Sequence, residues 1–190
     1  MALSAIPTSA SLEIPYEEFA PAAGMQFLVD TKEAKGYLLN SDGTYATVPV
    51  VLGQRRIVRY LGRTYNAATP EGSWVVRSVH TQGDRITFGK DGTFLRLYRD
   101  GEERSPYGIH THKYMETMLV KETPYQSMGC ILVAKDVLDK IQRGYELNGN
   151  LLNVVTVEGI DPTLATESIP DSFVTIRPNL VRATERLSRS

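Results

Sequence analysis

Short apolar runs alternate with polar turn residues through most of this chain, the pattern of a sheet protein. The runs Phe27-Leu28-Val29, Gly36 to Leu39, Tyr45 to Leu52, Trp74 to Val79, Ile86-Thr87-Phe88 and Phe94 to Tyr98 are rich in β-branched and aromatic residues and predict strands. Turn residues divide them. Asp42-Gly43 and Asp100-Gly101 predict hairpin turns, and Thr69-Pro70-Glu71-Gly72 predicts a tight corner feeding the strand of Trp74, itself a core residue. After Cys130 the period changes. Between Ala134 and Gly144 the residues Val137, Leu138 and Ile141 share one helical face, which predicts a helix with Gly144 as its stop. Leu151 to Val157 returns to a strand.

The two ends read differently from the body. Residues 1–24 are rich in Ala, Ser and Pro and predict an extended, loosely packed lead-in. Residues 25–158 form the body. Residues 159–190, with Pro162, Pro170 and Pro178, are an extension closing in a short basic helix. The whole predicts a mainly β domain, a mixed-sheet sandwich with one helix, and shows no internal repeat.

Composition narrows the function. A chain of 190 residues suits one domain with a sound core. Its 21 basic and 22 acidic residues leave a formal charge of −1, which offers no nucleic-acid footprint and no polybasic membrane patch. One cysteine excludes an internal disulfide. No apolar run approaches the roughly 20 residues needed to span a bilayer, and Met1 to Pro15 lacks the basic start and apolar stretch of an export signal. Either the protein stays inside the cell or an export signal has been removed.

Chemistry concentrates in two segments, Tyr107-Gly108-Ile109-His110-Thr111-His112 and Ser127-Met128-Gly129-Cys130-Ile131, which hold the only cysteine and two of the three histidines. A thiolate is a strong nucleophile, and imidazole is the usual base for generating one near neutral pH, so the pair suits acyl transfer. Gly129 allows a sharp turn that exposes the sulfur and aims the amides of Gly129 and Cys130 at a developing oxyanion. His110 and His112 alternate by two and share a face if extended, so spacing alone admits either as base. His-x-His with one Cys also resembles part of a zinc site, yet no further ligand stands at a suitable spacing and His80 reads as a surface histidine. The residues call for neither metal nor cofactor.

These segments resemble the catalytic domain of the L,D-transpeptidases, the YkuD-type peptidoglycan enzymes. Thr69-Pro70-Glu71-Gly72-Ser73-Trp74 is similar to the family's Thr-Pro-x-Gly corner, Tyr107-Gly108-Ile109-His110 to its Tyr-Gly-Ile-His segment, and Ser127-Met128-Gly129-Cys130-Ile131 to its Ser-x-Gly-Cys signature. Lys135-Asp136-Val137 opens a helix where members have one, and the resemblance runs over about residues 25–158. Met128 and Leu132 depart from it: members commonly carry His at the first position and Arg or Asn at the second.

The resemblance implies an L,D-transpeptidase-type sandwich with Cys130 as nucleophile, His110 as base, and the Thr111 carbonyl orienting the base through its Nδ1–H. Tyr107, Thr111, His112, Ser127 and Met128 are the expected substrate-binding residues. Ser127 either bonds near the thiolate or supports the turn, and Tyr107 either lines the acyl-donor channel or packs beneath it. Peptidoglycan stem peptides are the implied substrates, carbapenems the implied inhibitors, and the periplasm or cell wall the implied location. Transfer to an amine would form a 3,3-type cross-link. Transfer to water would make the same site an L,D-carboxypeptidase or endopeptidase, and loss of activity would leave a wall-binding domain.

Overall fold

A computed structural model of the protein describes residues 11–60 and 62–162. The first ten residues of the lead-in, and the tail in which the basic helix is expected, lie outside them. The strands are β1 (Leu12–Glu13), β2 (Gln26–Asp30), β3 (Lys35–Leu39), β4 (Thr44–Pro49), β5 (Leu52–Gly53), β6 (Ile57–Tyr60) and β7 (Arg63–Asn66). They continue with β8 (Gly72–Thr81), β9 (Thr93–Arg99), β10 (Glu103–His110), β11 (Tyr125–Ser127), β12 (Ile131–Leu132) and β13 (Leu152–Val157). A short helix α1 (Met115–Leu119) precedes β11, and the main helix α2 (Lys135–Leu147) follows β12.

Among the described residues nine strands make one mixed sheet in the order β1-β4-β3-β2-β13-β8-β9-β10-β12. Hairpin neighbours pair antiparallel, while β1 with β4, β2 with β13 and β10 with β12 run parallel. Val51, just beyond β4, bridges to Leu132 in the edge strand β12, so the chain returns from one half of the sheet to its far edge. Between them sits a core containing Phe27, Leu38, Trp74, Leu95, Ile109 and Ile131, all fully buried. The Trp74 indole N–H donates to Thr156 Oγ1 at 2.9 Å, and that hydroxyl donates to the Pro70 carbonyl at 2.8 Å, so the polar atom of the largest core side chain is satisfied. The hairpin turns at Asp42-Gly43 and Asp100-Gly101 form where expected, with positive φ at Gly43, Asp100 and Gly101.

Helix α2 buries Val137, Leu138 and Ile141 as its periodicity predicts, but Gly144 does not end it. The helix runs on to Leu147 and closes at Asn148 and Gly149. Gly144 serves close packing instead: a Cβ there would stand 2.5 Å from the Met25 sulfur. The expected strand Ile86-Thr87-Phe88 is a turn. Asp84 Oδ1 accepts the amides of Ile86 and Thr87 at 2.9 and 3.1 Å, and this local closure overrides the strand preference of the residues. The described part of the lead-in is also firmly attached. Phe19 is in the core, Tyr16 Oη donates to Asp136 at 2.7 Å, and Lys140 Nζ donates to the Tyr16 carbonyl at 3.0 Å.

Candidate active site

Strand pairing brings the two chemical segments together. Ile109 and His110 of β10 are in parallel register with Ile131 and Leu132 of β12, so Cys130, one residue before β12, stands beside Gly108. In a pleated pair, register partners and residues two apart share a face. His110 and Cys130 are therefore diagonal neighbours on one face, and both line a groove of about 1080 Å³.

His110 ends its strand almost fully buried, at 3% exposure. Its Nδ1 lies 2.7 Å from the Thr111 carbonyl oxygen. Phe88 and Phe94 flank the ring, with centroids 4.8 and 5.8 Å away. This apolar enclosure holds the imidazole well below its ordinary value, at about 4, against the opposing hydrogen bonding to the backbone of Thr111 and Thr87. His110 is a neutral imidazole at pH 7.

Burial also dominates at Cys130, pushing the thiol up to about 11 while the Gly108 backbone amide and the Arg96 charge pull it down. The resting pair is thus neutral thiol and neutral imidazole. The loop before the sulfur is fixed by Ser127, whose hydroxyl donates to the Cys130 carbonyl at 2.6 Å and accepts the Gly129 N–H at 3.1 Å. Ser127 therefore supports the turn. It also occupies the Gly129 amide that the sequence offers as an oxyanion donor, so the part played by Gly129 here is conformational. Its φ of +116° lies in the region that disfavours side chains, and a Cβ would meet Tyr107 at 2.6 Å.

The remaining candidates divide. Met128, Tyr107 and His112 line the groove. Tyr107 packs edge-on against Trp74, centroids 6.3 Å apart, while presenting its ring beneath Gly129, so it both lines and supports. His112 lies beyond the strand end, where its Nδ1 accepts the Tyr114 amide at 3.1 Å, and it belongs to the rim. Thr111 stands apart from these. Its side chain is buried against Gly89, away from the groove lining, and its backbone carbonyl is what reaches the site. Among the described residues no three His, Cys, Asp or Glu side chains gather as metal ligands.

Three groove residues escape a reading of the sequence. Phe88 covers His110 from the turn. Tyr65, on the β6–β7 hairpin, donates its hydroxyl to the Met128 carbonyl at 3.3 Å. Arg96, on β9, rests its guanidinium over Phe94 at 4.9 Å and donates from Nη1 to the Ser105 carbonyl at 2.8 Å. Only Asp84, placed to close a turn over Ile86 and Thr87, gives a sequence signal for any of them.

The sequence profile of the YkuD L,D-transpeptidase catalytic domain matches residues 25–148. No curated protein sequence matches the chain. Among solved structures, an L,D-transpeptidase from Xylanimonas cellulosilytica aligns with 18% identity and a TM-score of 0.50, covering 71% of this chain and 61% of that one. Bdellovibrio bacteriovorus Bd1075 aligns with 17% identity and a TM-score of 0.49, over 93% and 60% of the two chains. The L,D-transpeptidase LdtMt1 in complex with imipenem aligns with 16% identity and a TM-score of 0.42, over 70% and 59%. The chain thus spans about 60% of the length of these solved relatives, and at such identities the likeness concerns the fold.

Proposed function

Because the chain belongs to the L,D-transpeptidase catalytic domain family, we propose that it is a cysteine acyltransferase acting on peptidoglycan stem peptides in the periplasm or at the cell wall. The observation that carries this reading is the placement of His110, oriented by the Thr111 carbonyl, on the same face of the same groove as Cys130.

A carbonyl oxygen only accepts, so Nδ1 carries the proton of neutral His110 and Nε2 is left as the basic nitrogen. With the thiol near 11 and the imidazole near 4, a free ion pair is a minor state, and proton transfer accompanies attack instead of preceding it. Nε2 takes the Sγ proton as sulfur bonds to the carbonyl carbon of an L,D-peptide bond. The oxyanion faces the Cys130 amide, since Ser127 holds that of Gly129. Collapse breaks the C–N bond, and the imidazolium returns its proton to the amine of the departing D-residue. A thioester on Cys130 remains. The amine of a second stem then attacks it, forming an amide and releasing the thiol, which gives a 3,3-type cross-link. The groove, of about 1080 Å³, is at the upper end of the usual range for ligand sites, about 300–1,000 Å³.

The test is intact mass after exposure to a carbapenem and, in a separate sample free of inhibitor, incubation with a stem tetrapeptide. Imipenem is the natural probe, being held by the solved LdtMt1. One stoichiometric adduct is expected, absent from Cys130→Ala, together with cross-linked peptide dimers. An adduct on the alanine variant, or continued processing of the tetrapeptide by it, overturns the assignment.

A further inference from the structure

The residue after the next from the nucleophile is the apolar Leu132, buried at 3% exposure, so the groove takes no charge from that position. It takes one from a neighbouring strand. Arg96 of β9 is in register with Gly108 of β10, and Gly108 stands beside Cys130. The three positions form a row across two inter-strand spacings, about 10 Å. The central member has no side chain, and the Phe94 ring, on which the guanidinium rests, fills the space beside it.

Arg96 is held but not neutralised. Its Nη1 is spent on the Ser105 carbonyl at 2.8 Å. Its Nε is buried and lacks any acceptor among the described residues. No carboxylate pairs with it among the described ion pairs, and among the described residues no Asp or Glu lines the groove and the other full cation there is Arg63. A buried guanidinium donor without an acceptor is costly unless a ligand supplies one, and a guanidinium fork fits a carboxylate better than any other common group.

We propose that Arg96 is the carboxylate receptor of this groove and holds the terminal carboxylate of the donor peptide beside Cys130. This rests on the acyltransferase reading. In a peptide cleaved before its last residue, the terminal carboxylate lies one residue from the attacked carbonyl, within about 4 Å along the chain. A receptor for it must therefore be a close neighbour of the sulfur. Arg96 is such a neighbour: its charge and the Cys130 thiolate favour one another. Occupied, Arg96 would select donors with a free C-terminus and set the scissile carbonyl over the sulfur. It is a substrate-binding residue with no part in proton transfer.

The experiment compares a stem tetrapeptide ending in a D-residue with its C-terminal carboxamide. Binding to Cys130→Ala protein is measured by calorimetry, with and without Arg96→Gln or Arg96→Lys, after melting curves confirm that each variant folds. The free acid should bind at least tenfold more tightly than the amide. Arg96→Gln should bring the two within about twofold, and Arg96→Lys should keep part of the preference. In protein retaining Cys130, Arg96→Gln should raise KM for the acid about tenfold, change kcat less than threefold, and move the pH profile of thiol alkylation only toward higher pH, the direction in which losing the cation takes the thiol. Persistence of the acid preference in Arg96→Gln overturns the proposal. So does a shifted alkylation profile with the preference intact, which makes Arg96 a partner of the thiolate. If imipenem acylates Cys130 but the acid and amide bind alike, the receptor assignment alone fails. If neither peptide binds and no adduct forms, the acyltransferase reading fails with it.

Discussion

Nδ1 of His110 lies 2.7 Å from the carbonyl oxygen of Thr111, the residue that follows it. The bond is short in sequence and decisive in effect, because it fixes the tautomer and leaves Nε2 as the basic nitrogen. His112 has no equivalent. Its own Nδ1 accepts the Tyr114 amide, which leaves Nε2–H a donor in the neutral ring.

These opposite tautomers separate the two histidines experimentally. His110→Ala should lower the rate of acylation by about a hundredfold to ten-thousandfold, the usual contribution of a general base. His112→Ala should raise KM and leave the maximal rate within about tenfold. Stopped-flow acylation by imipenem measures both, and the reverse order of effects would transfer the base to His112.

The neutral resting pair gives a distinct pH signature. A thiol pushed up to about 11 is a thiolate only in traces at pH 7, and its thiolate fraction rises about tenfold with each pH step until the group titrates. Alkylation of Cys130 by iodoacetamide should therefore climb steadily from pH 7 to pH 10. A thiolate–imidazolium pair would instead give a plateau through neutrality. Such a plateau, measured by mass spectrometry at fixed times, would show that the sulfur is ionised at rest.

How much of this was legible depended on whether a feature was local. The face of Val137, Leu138 and Ile141, the two Asp-Gly turns and the segments around His110 and Cys130 rest on neighbours within a few residues, and all can be read from the sequence. Residues placed by strand register were not legible. Arg96 looks like any polar position on an alternating strand until β9 is set against β10, and Tyr65 reaches Met128 only because the β6–β7 hairpin folds over the loop. Phe88 misled for another reason. Its β-prone surroundings predict a strand, but Asp84 captures the amides of Ile86 and Thr87, and the turn that results sets the ring against His110. At Gly144 a helix-stop residue was kept for the room it gives Met25.

Leu132 offers a test of whether the groove needs a charge after the nucleophile. It is buried with Val51 and Met115, against Cys130. Leu132→Arg would force a further guanidinium into an apolar contact on a groove already positive at Arg96 and Arg63, without an acidic partner among the described residues of the lining. It should destabilise the protein by about 2–5 kcal/mol in denaturant titrations, the range for an unpaired charge replacing a core side chain, and leave imipenem acylation no faster. A tenfold gain in acylation, about 1.4 kcal/mol off the barrier, would mean that the polar group is a missing requirement.

Gly129 carries two constraints that one substitution breaks together. Its φ of +116° disfavours any L side chain, and the Cβ of alanine would stand 2.6 Å from Tyr107, whose ring is braced edge-on by Trp74. Strain at such a backbone position costs about 1–3 kcal/mol, and the overlap with a braced ring adds to it. The cheapest escape is for the loop to rotate, which releases the Gly129 amide from Ser127 and moves the sulfur off the face it shares with His110. Gly129→Ala should therefore lower the melting temperature and suppress imipenem acylation more than its loss of stability explains at temperatures where it stays folded. Ser127→Ala loosens the same turn without filling space, and should give a smaller loss of both. An alanine at position 129 that acylates at the parental rate would show that the loop holds the sulfur in place without the glycine.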